Sequence, residues 1–258
     1  MKLQGRQDRL REILNKIRVE QQTTLEELAR FFCVSTATIR RDIKVLEEKS
    51  AVVQTVGGGI IYQTEHTGAV DPGRIGHRIE EKIRIAEHCT ELIRDHDDVL
   101  IGPGTTTFLA GKIISGIEDR RFRIITSSLE LALEAGAAPN IRAVVLGGEV
   151  WNKYVVGPRV GRGYFEECHR QHTMILSADG IEATRGVTVF ESRLVPMIEA
   201  MVSVSSRIIL ATDSSKFGKS CFNRVARFDQ LRYVVTDHDA PPDYVALLKE
   251  HGIDVRLV

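Results

Sequence analysis

The sequence is short of the features that mark several protein classes. Its four cysteines (Cys33, Cys89, Cys168 and Cys221) are scattered over 258 residues, with no CxxC pair. That spacing excludes a disulfide framework or a zinc knuckle and reads as reduced thiols of a cytoplasmic protein. No apolar run reaches the ~18 residues that a membrane-spanning helix needs, so no membrane partner is expected. No apolar stretch follows the first charges of MKLQGRQDRLREIL, so no signal peptide is predicted. Aromatic residues make up only 6%, and Trp151 and the five tyrosines show no regular spacing of the kind that stacks bases. There is no net charge: 35 Lys and Arg face 35 Asp and Glu. What is present is ordinary globular composition, 43% hydrophobic and 27% charged, which excludes a mostly disordered or collagen-like chain. The length suits one large domain or two smaller ones.

The zero average hides an asymmetry. Residues 1–56 carry 11 basic and 8 acidic groups, a balance of +3, and the rest of the chain holds the remaining 24 basic and 27 acidic groups. A modestly basic head on an acidic body fits a nucleic-acid-reading module joined to something else, although three charges are a small difference.

In the head, Leu10, Ile13, Leu14 and Ile17 recur at helical spacing and share one face. Thr24 followed by Glu27 fits a capping box that opens a second helix, with Leu25, Leu28, Ala29 and Phe32 as its apolar stripe. That helix stops near Cys33, and Ser35 is a good N-cap for a third. There Ile39, Ile43 and Leu46 face inward and leave Thr36, Thr38, Arg40, Arg41 and Lys44 outside. Two short helices around a tight turn, the second basic and hydroxyl-rich, form the helix-turn-helix pattern, whose second helix enters the major groove of double-stranded DNA. Ser35, Thr36 and Thr38 suit base edges or phosphates, and Arg40 and Arg41 suit guanine or phosphate. Val52–Val56 and Ile60–Tyr62 flank Gly57-Gly58-Gly59 and predict a hairpin, or wing, whose Thr55, Gly57 and Gly58 would approach the DNA backbone. A solvated helical hairpin on a larger domain fits the spacing equally well.

STATIRRDIKVLEE followed by a glycine-bearing hairpin resembles the N-terminal winged helix of DeoR-type bacterial transcriptional regulators. Ser35, Thr38, Ile39, Arg40, Asp42 and Ile43 match that pattern in order. Ser50 stands where the family usually has Gly, and Gln54 where it has a basic wing residue.

Residues 63–77 hold four glycines and prolines and no apolar periodicity, and read as a linker between a head at 1–62 and a body at 78–258. The body opens with a helix carrying Ile79, Ile83, Ala86 and Ile93 on one face. Strands are predicted at Val99–Ile101, Arg123–Thr126, Ala143–Leu146, Thr173–Ser177, Arg207–Thr212, Tyr233–Thr236 and Val255–Val258. Helices are predicted at Thr105–Ile114, Ser128–Gly136, Ser192–Ser205 and Pro242–His251. Near-continuous apolar strands between helices imply an α/β fold with a mainly parallel sheet, and ligands of such sheets sit at the carboxyl ends of the strands.

Five such ends are polar or glycine-bearing. The first is the loop Gly102-Pro103-Gly104-Thr105-Thr106-Thr107, whose glycines free backbone N–H groups toward an anion at a helix N-terminus. Read alone, it is as well explained as a strand–helix turn with a Thr cap. The others are Thr126-Ser127-Ser128, Leu146-Gly147-Gly148-Glu149, Ser177-Ala178-Asp179-Gly180 and Asp213-Ser214-Ser215-Lys216. Together they make a pocket more credible than any one of them does.

These segments resemble, in order and over about residues 78–258, the C-terminal sensor domain of the same regulators, which is similar in fold to ribose-5-phosphate isomerase. The resemblance implies a phosphorylated sugar or related metabolite as effector and no other cofactor. It places the phosphate at Gly104, Thr105 and Thr106, a sugar hydroxyl at Asp179, and an oxygen or the phosphate at Lys216. Gly102 stands where the family has Asp, Ser127 where it has Asn, and Pro196, Ile198 and Glu199 near its usual basic position.

Two functions are therefore compared: a DNA-binding repressor answering to a phosphorylated metabolite, and a sugar-phosphate isomerase or deaminase with an added head. Isomerisation needs a general base, and Asp179 and Glu149 are the available carboxylates, short of an acidic set. The basic helix and wing favour the regulator. A single winged helix reads few base pairs, so a homodimer or homotetramer on repeated half-sites is expected. Cys168, His169 and His172 read as a polar helix end, and no metal is expected.

Overall fold

The computed structural model of the chain describes residues 9, 10, 12, 13, 16, 17, 22–48, 52–54, 59–62, 78–95, 97–157, 164, 165 and 172–258. It divides into two compact units, Met1–His77 and Arg78–Val258. Thr55, Gly57 and Gly58 of the expected wing, the linker at 63–77, and Cys168 and His169 lie outside the described residues.

In the first unit, residues 9, 10, 12, 13, 16 and 17 are helical. They lead into β1 (Gln22–Thr24), α1 (Leu25–Phe32), α2 (Thr36–Glu48), β2 (Val52–Gln54) and β3 (Gly59–Tyr62). The capping box expected at Thr24 is formed: the Glu27 amide donates to Thr24 Oγ1 at 3.2 Å, and the Thr24 amide to Glu27 Oε2 at 2.9 Å. The two expected wing strands pair antiparallel, and β1, which the sequence did not signal, pairs with the other edge of β3. Ile13, Ile17, Leu25, Leu28, Ala29, Ile39, Ile43, Leu46 and Ile60 form one core.

Helix α1 ends at Cys33, whose φ of 53° lies in the left-handed region. The next amide, of Val34, reaches back to the Ala29 carbonyl at 3.1 Å. Glycine is the usual residue at such a cap, since a Cβ in this conformation costs roughly 1–2 kcal/mol. Glycine's greater unfolded-state freedom returns roughly half of that. Cys33→Gly is therefore expected to raise stability by about 0.5–1 kcal/mol in chemical denaturation, and a lower midpoint would contradict this account of the turn.

The second unit contains, in order, α3 (Ile79–Glu91), β4 (Asp98–Ile101), α4 (Thr105–Ser115), β5 (Phe122–Thr126), α5 (Leu129–Gly136), β6 (Ile141–Val145), β7 (Glu149–Trp151) and β8 (Tyr154–Val156). There follow β9 (His172–Leu176), β10 (Gly180–Glu182), β11 (Gly186–Val189), α6 (Val195–Val204), β12 (Ser205–Ala211), β13 (Asn223–Ala226), β14 (Tyr233–Thr236), α7 (Pro242–Glu250) and β15 (Asp254–Leu257). Each of the seven strands expected from the sequence enters one sheet, ordered β15-β14-β12-β9-β4-β5-β6. Every pairing in it is parallel.

Alternation along the strands builds two cores. Val99, Ile101, Ile124, Ile175, Ile209 and Val235 face one side, against Ile85, Ala86 and Cys89 of α3, Ala110 and Ile114 of α4, and Leu131 of α5. Leu100, Ile125, Met174, Leu176, Leu210 and Val234 face the other, against Met197 and Met201 of α6, Leu248 of α7, and Ile181, Val187 and Val225 of a small antiparallel sheet, β10-β11-β13. Both faces are covered, as a parallel sheet requires.

The strand order fixes where a ligand can enter. From β4 the chain runs outward through β5 and β6, and from β9 it runs the opposite way through β12, β14 and β15. The loops after β4 and β9 therefore diverge, which opens a crevice at the carboxyl ends of those two strands.

Candidate functional site

On α2 the inward face is apolar apart from Asp42. Ile39 and Ile43 are fully buried, whereas Ser35, Thr36, Arg40, Arg41 and Lys44 are exposed and Thr38 is half-buried. Ser35 serves as the cap: its Oγ accepts the Thr38 amide at 3.2 Å and lies 2.9 Å from Thr38 Oγ1. These two hydroxyls hold each other and start the helix, while Thr36, Arg40, Arg41 and Lys44 present their side chains outward. Asp42, by contrast, is 1% exposed and accepts Arg9 Nε at 2.7 Å, which ties the first helical stretch to α2.

In the second unit the crevice is built from four adjacent strand ends, those of β12, β9, β4 and β5. After β4, the Gly102 amide donates to the Ile175 carbonyl at 3.0 Å, so it extends the sheet. Gly104 has φ 142° and ψ 160°, a conformation kept essentially for glycine. A Cβ there would stand 2.9 Å from Ser177 Cβ and closer still to its Oγ. Ser177 Oγ in turn donates to the Pro103 carbonyl at 2.6 Å. Loop and strand end are thus pinned together at the switch point.

The three threonines play different parts. Thr107 is fully buried, and its hydroxyl donates to the carbonyls of Gly102 (2.7 Å) and Gly104 (3.0 Å), so it braces the loop from within. Thr106 is buried, and Thr105 is half-buried at the first turn of α4. At the end of β5, Ser127 is fully buried and its Oγ finds no hydrogen-bond partner among the described residues. An orphaned buried hydroxyl needs a reason in any structure, and this one sits beside the crevice.

Asp179 and Lys216 are brought to the same side. Asp179 Oδ2 accepts the Phe190 amide at 2.9 Å, so this carboxylate shapes the loop after β11. Lys216 lies in a 3-10 turn, Ser214–Lys216, after β12. The next residue, Phe217, bridges to Ile181, two residues beyond Asp179, and the Gly218 amide donates to the Ile181 carbonyl at 2.9 Å. Burial alone would push the Asp213 carboxyl up, but Lys216, the Ser215 amide and hydroxyl, and Lys82 outweigh it and hold it below the usual range. Gly148, from the loop after the edge strand β6, is exposed, and β5 separates that strand from β4.

Sequence reasoning passed over three residues. Ser177 stood in the flagged segment Ser177–Gly180 and was the readable one. Arg78 and the buried Lys82 look, in sequence, like the polar face of an amphipathic helix. Among the described residues no group of three His, Cys, Asp or Glu could hold a metal, and no helix is long and apolar enough to cross a membrane.

Residues 9–65 match the DeoR-like helix-turn-helix domain, and residues 77–238 the DeoR C terminal sensor domain. The HTH-type transcriptional regulator IolR of Bacillus subtilis is 30% identical over 237 residues, 91% of this chain and 92% of that protein. The transcriptional repressor AccR of Agrobacterium fabrum is 30% identical over 90% of this chain and 89% of its own length. The transcriptional repressor GlcR of Bacillus subtilis is 26% identical over 96% and 95%. Among solved structures, ribose 5-phosphate isomerase A of Methanocaldococcus jannaschii superposes with a TM-score of 0.40 at 17% identity, over 53% of each chain. With both domain models matched in order and relatives aligned along nearly their whole length, the chain belongs to the DeoR family of helix-turn-helix transcriptional regulators, DNA-binding proteins and not enzymes.

Proposed function

We propose that this regulator is a cytoplasmic repressor of a carbohydrate-metabolism operon, released from its operator by a phosphorylated sugar or related metabolite. It is divided as a head at 1–62, a linker at 63–77 and a sensor at 78–258, and acts as a homodimer or homotetramer held mainly by the sensor. Repression follows the names of the relatives AccR and GlcR. The observation that carries the effector reading is the close fit of Gly104 against Ser177 at the switch point, with Asp179 and Lys216 following the ends of β9 and its neighbour β12. A phosphate there is met by amides at the N-terminus of α4, the Thr105 hydroxyl and the Lys216 ammonium. Charge-assisted bonds of this kind are roughly twice as strong as neutral ones. Gly102 and Thr107 shape the cradle, Thr106 and Ser127 lie along it, and Gly148 takes a place at its outer rim. On DNA, Thr36, Arg40, Arg41 and Lys44 make the contacts of α2, Ser35 and Thr38 set its first turn, and Thr55, Gly57 and Gly58 belong to the wing.

One experiment tests both halves. Sugar phosphates are titrated calorimetrically, and operator binding is followed with and without them for the wild type, Thr105→Ala, Lys216→Ala and Arg40→Ala. Thr105→Ala and Lys216→Ala are expected to abolish the response and leave basal DNA binding in place. Arg40→Ala is expected to weaken operator binding by about 1–3 kcal/mol and leave effector affinity unchanged. Equal binding of an unphosphorylated sugar, or a normal response in both crevice variants, overturns the phosphate reading. Unchanged operator affinity in a folded Arg40→Ala variant overturns the assignment of α2.

A further inference from the structure

Arg78 is the residue at which the chain, leaving the connector, enters the second unit. Its φ is 55°, in the left-handed region that an arginine seldom occupies. It holds the N-cap position of α3, but its side chain makes no cap hydrogen bond; the guanidinium instead spans the carboxyl ends of two strands. Nη1 donates to Ser214 Oγ at 2.6 Å and lies 4.0 Å from Asp213 Oδ1. Nη2 donates to Asp239 Oδ2 at 2.9 Å and lies 3.5 Å from Asp237 Oδ1, and Nε donates to Glu81 at 3.3 Å.

Asp213 and Asp237 are almost wholly buried. Both also hold the backbone of the turn that carries Lys216: Asp237 Oδ2 accepts the Ser214 amide at 2.6 Å, and Asp213 Oδ1 the Ser215 amide at 3.0 Å. One guanidinium therefore grips the Ser214–Lys216 turn through a hydroxyl and two buried carboxylates. Lys82, one helical turn further on in α3, and Lys216 both act on Asp213 by charge.

We infer that Arg78 is a positioning residue: it sets the geometry of the Ser214–Lys216 turn for an anionic effector, and it transmits the state of that turn to the connector that ends at the preceding residue. The inference rests on the reading of Lys216 as an effector ligand. When an anion draws the Lys216 ammonium to itself, its pull on Asp213 weakens, and the Asp213 carboxylate shifts toward the Arg78 guanidinium, whose Nη1 lies 4.0 Å away. The grip on the first residue of the unit then changes with occupancy. A guanidinium suits the task because its planar fork reaches several acceptors at once, which the point charge of a lysine does not.

The test uses the full chain with an operator duplex selected from a random pool by the wild-type protein. Ribose 5-phosphate, glucose 6-phosphate, fructose 6-phosphate and inorganic phosphate serve as probes. Two quantities are read for the wild type, Arg78→Gln, Arg78→Lys and Asp239→Asn: the probe Kd by calorimetry, and the ratio of operator Kd with and without saturating probe. In the wild type that ratio is expected to be about 5–150-fold, the usual range of allosteric coupling. In Arg78→Gln the probe Kd should rise several-fold, and the operator ratio at saturation should fall below twofold. Arg78→Lys should recover probe affinity more than it recovers the ratio. Asp239→Asn, a change at an exposed partner, should lower the ratio part of the way and keeps the test open if Arg78→Gln does not fold. A merely structural role would weaken probe binding and leave the ratio at saturation intact, so an intact ratio overturns the inference. If no probe binds the wild type, the crevice reading fails and the inference with it. If the wild type responds and all three variants respond equally, the inference alone fails.

Discussion

Replacing Arg9 with methionine is expected to destabilise the DNA-binding unit by about 3 kcal/mol and to abolish operator binding, while the melting of the sensor unit stays where it was. Arg9 donates Nε to Asp42 Oδ2 at 2.7 Å, and the Asp42 side chain is 1% exposed. Breaking a buried pair by removing one partner costs roughly 3–5 kcal/mol, because the remaining charge stays in a low-dielectric site. The lower end applies here, since the Arg9 side chain is 20% exposed and Asp42 keeps a further interaction that the substitution leaves in place. Methionine retains the apolar stem, so the loss is that of the guanidinium.

The size of the unit makes this cost decisive. Among the described residues its buried core counts nine, and small units bury too little surface to absorb large losses. At about 0.05–0.15 kcal/mol per residue, a unit of this size has roughly 4–12 kcal/mol in total. Two transitions in far-ultraviolet circular dichroism, only the first shifted, together with a gel shift, provide the measurement. Arg9→Met combined with Asp42→Leu should recover most of the loss, because replacing both members of a buried pair with apolar groups is often close to neutral. A single variant that melts with the wild type would show that the pair is dispensable.

Asp42 also marks a boundary of what could be read from the sequence. In the segment Ile39-Arg40-Arg41-Asp42-Ile43 the apolar spacing tells which way the isoleucines point. It does not distinguish the arginines, which face outward, from the aspartate, which is buried against a residue 33 positions away. The large sheet was legible because its strands, the edge strand β15 apart, are mostly apolar runs bounded by polar turns, a local signal. The strands β1, β7, β8, β10, β11 and β13 were not: each has three or four residues, and tertiary pairing rather than local pattern makes them strands.

The same division holds in the crevice. The glycines and threonines of Gly102–Thr107 could be picked out as a loop at a strand end. That Thr107 turns inward while Thr105 stays near the surface depends on φ and ψ at Gly104, which no spacing records. Five strand ends were candidates, and strand order, which is not written in any single segment, brings four of them together and leaves Gly148 beyond. Arg78 was invisible for a related reason. Its partners lie 136 and 161 residues away, so its sequence neighbourhood shows only a charged helix start.

Gly104 is where these contacts converge, and Gly104→Ala is expected to damage both the stability of the sensor and its effector response. Two costs add. The backbone conformation, φ 142° and ψ 160°, is strained for any residue with a Cβ, by roughly 1–3 kcal/mol. The new methyl group also meets the Ser177 side chain, with Cβ to Cβ at 2.9 Å. Ser177 cannot easily yield, because its Oγ is hydrogen-bonded to the Pro103 carbonyl inside the same loop. Overpacking of this kind costs roughly 1–3 kcal/mol. A combined loss of about 3 kcal/mol corresponds to a fall of roughly 6–12 °C in the Tm of a unit this large. Functionally, the loop must move away from Ser177, so the amides at the start of α4 lose their aim. The effector response should vanish while operator binding at low temperature persists.

Ser177→Gly in the Gly104→Ala background separates the two costs. It removes both obstructing atoms, so the steric part should return while the backbone part remains, and about half of the lost stability should be recovered. Coupling between residues in contact is what such a cycle measures. Additive losses in the double variant would mean that the loop and the end of β9 do not press on each other, and the switch-point crevice would lose its principal support.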